Sequence, residues 1–260
     1  MRISKEIKNK IIEIGNWMFE QQSKIQSDQI ILKGKNDLVS YVDRESEKKL
    51  KIILNQAFPE AEIIGEETNT GFDHIDNGYY WVVDPLDGTT NFLHHLPIYA
   101  ISIGLVKDKQ PILGIIYDPS RKEFFYAEKG KGAFLNDERI HTSNESSISN
   151  SLFATGFPYY DFKDLDKYIE FLKHLMKNSH GLRRMGAAAI DLAWVAAGRF
   201  EGFFEFNLKP WDVCAGKILV EEAGGKVTNF SGKEDVVFKG EIIAAGKVFP
   251  DFLKDLQKFW

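Results

Sequence analysis

The sequence predicts an α+β fold, and three patterns carry that prediction. Ile3, Ile7, Ile11, Ile14 and Met18 recur at helical spacing; the apolar runs 98–106, 112–117 and 124–127 are split by short polar turns; beyond the polar stretch 142–150, strand-like and helix-like segments alternate. The first pattern is an amphipathic helix over the first twenty residues, its apolar stripe facing a core. The second is an antiparallel meander, with turns at 107–110 and 118–122.

The remaining elements follow in order. Asp43 precedes a second helix that stops near Pro59. A short apolar strand ends at Ile63-Ile64-Gly65, and the almost wholly apolar run 79–83 suits a strand buried on both faces. After 142–150, the best linker candidate, come a strand at 152–155, helices at 165–177 and 187–197, and a strand at 202–206. A helix from Trp211 closes at Gly224-Gly225, where paired glycines read as a C-cap and turn. There is no internal repeat and no low-complexity tract.

Composition narrows the classes. At 260 residues, 43% hydrophobic and 27% charged, the chain can bury a substantial core as an ordinary globular protein. One Cys excludes an intrachain disulfide, and the net charge of −5 argues against nucleic-acid binding driven by bulk charge. No stretch approaches the roughly 18 apolar residues of a membrane span, and the N-terminus lacks the continuous apolar segment of a secretory signal. A cytoplasmic location is therefore expected.

The richest segment is Trp81-Val82-Val83-Asp84-Pro85-Leu86-Asp87-Gly88-Thr89-Thr90-Asn91-Phe92. Pro85 holds Asp84 extended, so its carboxylate leaves the sheet end, and Asp87 adds a second carboxylate three residues on. Gly88 permits a left-handed turn, and Thr89 or Thr90 suits a helix N-cap, where free N–H groups favour an anion. Hard oxygens beside a phosphate cradle are what Mg²⁺ requires. A plain structural turn reads equally well here, since Asp-Pro and Asp-Gly are common turn dipeptides. An EF-hand fits worse, because Gly88 is fifth rather than sixth from Asp84.

Two more acidic sites join it: Gly65-Glu66-Glu67 after a short strand, and Trp211-Asp212-Val213-Cys214-Ala215-Gly216 at a helix start. Singly, the first reads as a solvated loop and the second as an acidic residue facing a helix dipole. Cys214 reads as a small packing residue rather than a catalytic thiol. His94 and His95 read as capping or packing the short helix, because a hard Mg²⁺ site prefers oxygen.

Together the three motifs resemble the inositol monophosphatase family of Mg²⁺-dependent, Li⁺-sensitive phosphatases. The resemblance extends over nearly the whole chain, including Asp37-Leu38-Val39-Ser40-Tyr41-Val42-Asp43, Arg183-Arg184-Met185-Gly186-Ala187-Ala188-Ala189-Ile190-Asp191 and Gly202-Phe203-Phe204-Glu205. It implies a layered α/β/α/β/α sandwich of the inositol monophosphatase and fructose-1,6-bisphosphatase type. Residues 1–260 then form one catalytic unit, with subregions 1–141, carrying most metal ligands, and 151–260, carrying Asp212 and the substrate side.

By the same resemblance, one Mg²⁺ is held by Glu66, Asp84 and the Leu86 carbonyl, a second by Asp84, Asp87 and Asp212, and a third shares Glu66. Glu66, Thr89 and Asp43 match positions that orient or activate the attacking water. Asp87, Gly88, Thr89, Ala188 and Glu205 match substrate-side positions. The implied reaction is hydrolysis of a small phosphate monoester, foremost myo-inositol 1-phosphate, by a cytoplasmic homodimer. Fructose 1,6-bisphosphate, 3′-phosphoadenosine 5′-phosphate or a broad range of sugar phosphates are the enzymatic alternatives. Relatives with the Arg183-Arg184 segment also act as binding partners of the transcription apparatus, which is held here as a secondary role; that segment is read as interface or structure rather than phosphate contact.

Overall fold

Side chains alternate along the strand Tyr79–Asp87: Trp81 and Val83 join one apolar core, Tyr80 and Val82 another. Two-sided burial explains the unbroken apolar run, because a central strand has no solvent face to supply polar residues. A computed structural model describes residues 4–25, 31–34, 37–68, 77–158 and 162–260, so Ile3 lies outside the described residues. The first part runs α1 (Lys5–Gln22), β1 (Ile31–Gly34), β2 (Asp37–Val39), α2 (Tyr41–Ala57), β3 (Glu62–Gly65), β4 (Tyr79–Asp87), α3 (Thr89–Leu93), β5 (Ala100–Lys107), β6 (Gln110–Asp118), β7 (Glu123–Glu128), β8 (Gly132–Leu135) and β9 (Glu138–Ile140). The second runs β10 (Leu152–Thr155), α4 (Leu165–Asn178), β11 (Gly181–Arg183), α5 (Ala188–Ala196), β12 (Gly202–Phe206), α6 (Pro210–Glu222), β13 (Lys226–Thr228), β14 (Glu241–Ala245) and α7 (Phe249–Leu256).

Two larger sheets set five layers. A seven-stranded sheet has the order β3-β4-β5-β6-β7-β8-β9, and a five-stranded sheet the order β11-β10-β12-β14-β13. On the outer face of the first, Ile11, Ile14 and Met18 of α1 and Val42, Leu50 and Leu54 of α2 meet Trp81, Val83, Ile101 and Ile103. Between the sheets lie α5 and α6, buried nearly all round: Ile190, Leu192 and Val195 of α5 and Ile218 and Leu219 of α6 share a core with Val82, Ile116 and Phe203. Outside the second sheet, Phe171 and Leu175 of α4 and Phe252 and Leu256 of α7 cover Phe153, Phe204 and Ile243. The layering is α/β/α/β/α, as the resemblance implied.

The meander and the strand at 202–206 stand where the sequence predicted them, and β8 and β9 extend the meander by two short strands. Gly224, at φ 91°, ends α6: its N–H donates to the Glu221 carbonyl (3.0 Å) and the Gly225 N–H to the Val220 carbonyl (2.9 Å). That is a Schellman C-cap. Most boundaries shift by only a residue or two, and two of the differences bear on the site. α2 starts at Tyr41 with Ser40 as its N-cap, which puts Asp43 inside the first turn rather than ahead of it. β4 continues through Asp87, past the expected end at Val83.

α6 packs directly against the backbone of the seven-stranded sheet at two glycines. Gly104 of β5 pairs with Gly114 of β6, and the helix fills the space their missing side chains leave. A Cβ on Gly104 would stand 2.2 Å from Cys214 Sγ, and one on Gly114 would stand 2.6 Å from the Ala215 carbonyl oxygen. Cys214 is accordingly fully buried, and burial pushes its thiol up to about 12. Gly104→Ala is expected to cost about 1–3 kcal/mol through overpacking. Adding Cys214→Ala, which removes the colliding sulfur, should recover much of that loss; a urea double-mutant cycle with strictly additive costs would refute the contact.

Candidate active site

Asp84 and Asp87 are three residues apart, so a regular strand would turn them to opposite faces of the sheet. The β4–β5 register prevents this. Asp84 pairs with Ser102 and Asp87 with Ala100, so three steps on β4 match two on β5. The resulting bulge holds Pro85, which has no N–H to give to a ladder. Beyond it both carboxylates line one cavity. Asp84 Oδ1 accepts the Leu86 N–H (2.9 Å), which folds the acidic turn tightly around Leu86.

Gly88 then turns the chain with φ 91° and ψ 35° and is the N-cap of α3. A Cβ there would stand 2.9 Å from the Ile98 carbonyl oxygen. The expected Thr cap is displaced, because the left-handed turn and this close approach both require glycine. Thr89 becomes the first helical residue, and its hydroxyl is within bonding distance of Asp43 Oδ1 (2.8 Å) and the Leu86 carbonyl (3.0 Å). Asp43 itself is buried, with Oδ2 accepting the Ser40 N–H (2.9 Å) and hydroxyl (2.7 Å) in a capping box. It stands behind Thr89 rather than in the cavity wall. Glu66 follows β3 directly, its N–H donating to the Val83 carbonyl (3.1 Å), and it lines the cavity beside Asp84.

The second sheet supplies the opposite wall. Asp212 occupies the first turn of α6, where its Oδ2 accepts the Lys209 N–H (2.7 Å) while the residue also lines the cavity. The Ser102 hydroxyl donates to the Trp211 carbonyl (2.9 Å), tying that helix start to β5. Glu205 is the penultimate residue of β12, with Gly156 so close that a Cβ would fall 1.9 Å from its carboxylate. Asp87 Oδ2 accepts the Ala189 N–H (2.6 Å) and thereby caps α5, whose own preceding residue, Ala187, has no side chain for the task. Ala188 lines the cavity at this helix start.

The cavity, about 270 Å³, is thus faced by Glu66, Asp84, Asp87, Asp212 and Glu205. Crowding acids in a desolvated cleft penalises the charged form. Asp84 is raised well above the usual carboxylate range by burial and then by Glu66, Asp87 and Asp212. Burial raises Asp87 to about 7, with the Ala189 N–H opposing and Glu66 adding. Asp212 also reaches about 7, through burial and Asp87. Glu205 is raised by burial, Asp212 and Asp87 against the pull of Arg184. Among the described residues no three His, Cys, Asp or Glu side chains close into a cage for an ion. Asp84, Asp87 and Asp212 each spend one oxygen on a backbone N–H, which leaves an open set of hard oxygens around the cleft.

Every site residue named from the sequence except Asp43 lines this one cavity. His94 and His95 are exposed at the end of α3, and neither lines it. Arg184, expected at an interface or in a structural role, lines the cavity wall, while Arg183 is exposed. Sequence reasoning missed Phe157, Asn207 and Lys209, which also line it. The available signal was position: they follow the carboxyl ends of β10 and β12, as Glu66 follows β3.

A cleft of carboxylates and a left-handed helix start, set between two sheets of a five-layer sandwich, defines a class of phosphatases. Residues 2–259 match the model of the inositol monophosphatase family. The chain is 44% identical over 241 residues to a putative Nus factor SuhB of Neisseria meningitidis serogroup B, covering 92% of each. It is 38% identical to a fructose-1,6-bisphosphatase/inositol-1-monophosphatase of Aquifex aeolicus, covering 94% of this chain and 90% of that protein. The crystal structure of the extragenic suppressor protein suhB from Bartonella henselae superposes with a TM-score of 0.88 at 39% identity, covering 96% of both chains. The chain belongs to the inositol monophosphatase family, a family of phosphatases that is generally metal-dependent.

The electrostatics predict a pH dependence for the protein freed of divalent cations. Folded carboxyl groups raised to about 7 keep protons that the unfolded chain releases near 3.8, so their stabilising contribution is present at low pH and lost as the pH rises through about 7. Denaturant titrations at about pH 5 and about pH 8 should show a smaller fall for Asp87→Asn than for the parent chain. Equal falls would contradict the shift of Asp87.

Proposed function

We propose that the protein is a Mg²⁺-dependent phosphomonoesterase acting on a polyol phosphate, foremost myo-inositol 1-phosphate, in the cytoplasm and as a homodimer. The observation that carries this reading is the convergence of Glu66, Asp84 and Asp87 from one sheet and Asp212 from the start of α6 on one cavity. Buried acids that raise one another's pKa mark a deficit of positive charge, and their oxygens suit Mg²⁺, which keeps several waters and needs no closed cage. Glu66, Asp84 and the Leu86 carbonyl would hold one ion; Asp84, Asp87 and Asp212 would hold a second. Such ions lower the pKa of an attacking water and neutralise charge on phosphoryl oxygens.

The chain's own groups supply the rest. Backbone N–H groups at Gly88 and Thr89 begin α3, where a helix has no internal acceptors for them, and they receive the phosphate oxygens. Thr89 Oγ1, with its proton directed at Asp43 Oδ1 or the Leu86 carbonyl, offers a lone pair to the water. Glu66 accepts a second hydrogen from that water. Glu205 hydrogen-bonds a hydroxyl of the departing polyol. Cys214 is no nucleophile, being buried under the sheet with a thiol at about 12.

Two further readings stay close, one of the substrate and one of a separate binding role. The name of the Aquifex aeolicus relative supports fructose 1,6-bisphosphate as a further substrate. The Nus factor name of the Neisseria relative supports a second role, association with the transcription apparatus. Among the described residues no helix is long and apolar enough to cross a membrane, in keeping with the location proposed.

Steady-state kinetics on inositol 1-phosphate, fructose 1,6-bisphosphate and 3′-phosphoadenosine 5′-phosphate, with and without Mg²⁺ and Li⁺, test the reading. The highest kcat/KM is expected on inositol 1-phosphate, with activity abolished by chelation; chelation-resistant turnover would reject it. Asp87→Asn should lower kcat/KM by more than the roughly 10–100-fold that loss of an outer partner costs a metal site. An association with transcription proteins should survive Asp87→Asn and weaken in Arg183→Ala. Arg184 is unsuited to that comparison because it lines the cavity.

A further inference from the structure

Helix α2 carries a stripe of three charged residues at successive turns, Asp43, Glu47 and Lys51, on the face toward the site. Asp43 reaches Thr89, as described. Glu47, 1% exposed, reaches the other limb of the site. Its Oε2 accepts the Glu67 N–H (2.8 Å) and its Oε1 accepts the Thr68 hydroxyl (2.6 Å), while Lys51 Nζ lies 3.0 Å from Oε1 and also donates to Thr68. Gly65 makes room for this carboxylate: a Cβ there would stand 2.4 Å from Glu47 Oε2. The peptide carrying Glu66 is therefore pinned from both sides, by Val83 at its own N–H and by Glu47 at the next.

We propose that Glu47 is a positioning residue for Glu66: it clamps the turn after β3, so that the Glu66 carboxylate meets the cavity in the orientation that binds the cation. Glu47 is absent from the cavity wall and touches no substrate, so it acts only through this turn. A carboxylate is required, because both oxygens receive donors. An amide in its place would turn its NH₂ toward either the Glu67 N–H or the Thr68 and Lys51 donors. The inference rests on the reading of Glu66 as a cation ligand, and the experiment separates the two.

The variants are Glu47→Gln, Glu66→Gln, their double, and Gly65→Ala, which displaces the clamp while leaving Glu47 intact. Mg²⁺ binding is measured by calorimetry on the full chain, and hydrogen exchange across residues 62–68 is followed without metal. Glu47→Gln and Gly65→Ala should each weaken Mg²⁺ binding about 10–100-fold and speed exchange at the Glu67 amide. The double variant should bind no more weakly than Glu66→Gln alone. If Glu66→Gln weakens binding while Glu47→Gln and Gly65→Ala leave it unchanged, or if the two losses add in full, the positioning role is overturned. Parental binding by Glu66→Gln removes the ligand reading and this inference with it. Unaltered Glu67 exchange in Glu47→Gln overturns the clamp whatever Glu66→Gln does.

Discussion

The whole site depends on how closely α6 can approach the seven-stranded sheet. Asp212 belongs to the second half of the chain, and it reaches Asp84 and Asp87 only because the paired glycines 104 and 114 let the helix lie against strand backbone. The Ser102 bond to the Trp211 carbonyl holds the helix start in place along that contact. Close packing in a protein interior leaves few alternative positions for such a helix. The gap between the two sheets, and hence the width of the cleft, follows from this one layer of small residues.

The carboxylates pay for their crowding by doing a second task. Asp87 caps α5 and Asp212 closes the capping box at the start of α6, so two helix N-termini face the cluster, while Asp43 serves the start of α2 behind it. Each N-terminus brings N–H groups and the positive end of a dipole to a negative side chain. The helix starts thereby hold in place acids whose charged form burial disfavours. Asp87 and the start of α5 satisfy each other's polar groups.

Much of this was legible in the sequence, for physical reasons. The apolar run 79–83, the meander, the strand at 202–206 and the glycine pair ending α6 were readable because two-face burial, strand alternation and left-handed caps leave local signatures. The motifs around Glu66, Asp84 and Asp212 were readable as a set. The cap that Asp87 provides to α5 was not, because its partners lie 102 residues away and Ala189 carries no side-chain signal. Gly88 was read as a turn, with the cap assigned to a following threonine; the approach of the Ile98 carbonyl, which excludes a side chain there, is a tertiary fact. That Arg184 lines the cavity was not legible for the same reason: the direction a strand-end side chain takes depends on what packs behind it. Glu47 reads as an ordinary helix-surface acid until Gly65 is brought against it.

The bulge at Pro85 converts a spacing into a structural rule. Asp84 and Asp87 share a face only because one extra residue is absorbed between them. A deletion or insertion inside Asp84-Pro85-Leu86-Asp87 would rotate one carboxylate through the sheet, into the apolar layer formed by α1 and α2. Segments outside the cleft, such as the turn at 107–110, can change length without that penalty. Divergence among chains of this architecture should therefore accumulate as length changes in the outer turns, while the interval between these two acids stays invariant.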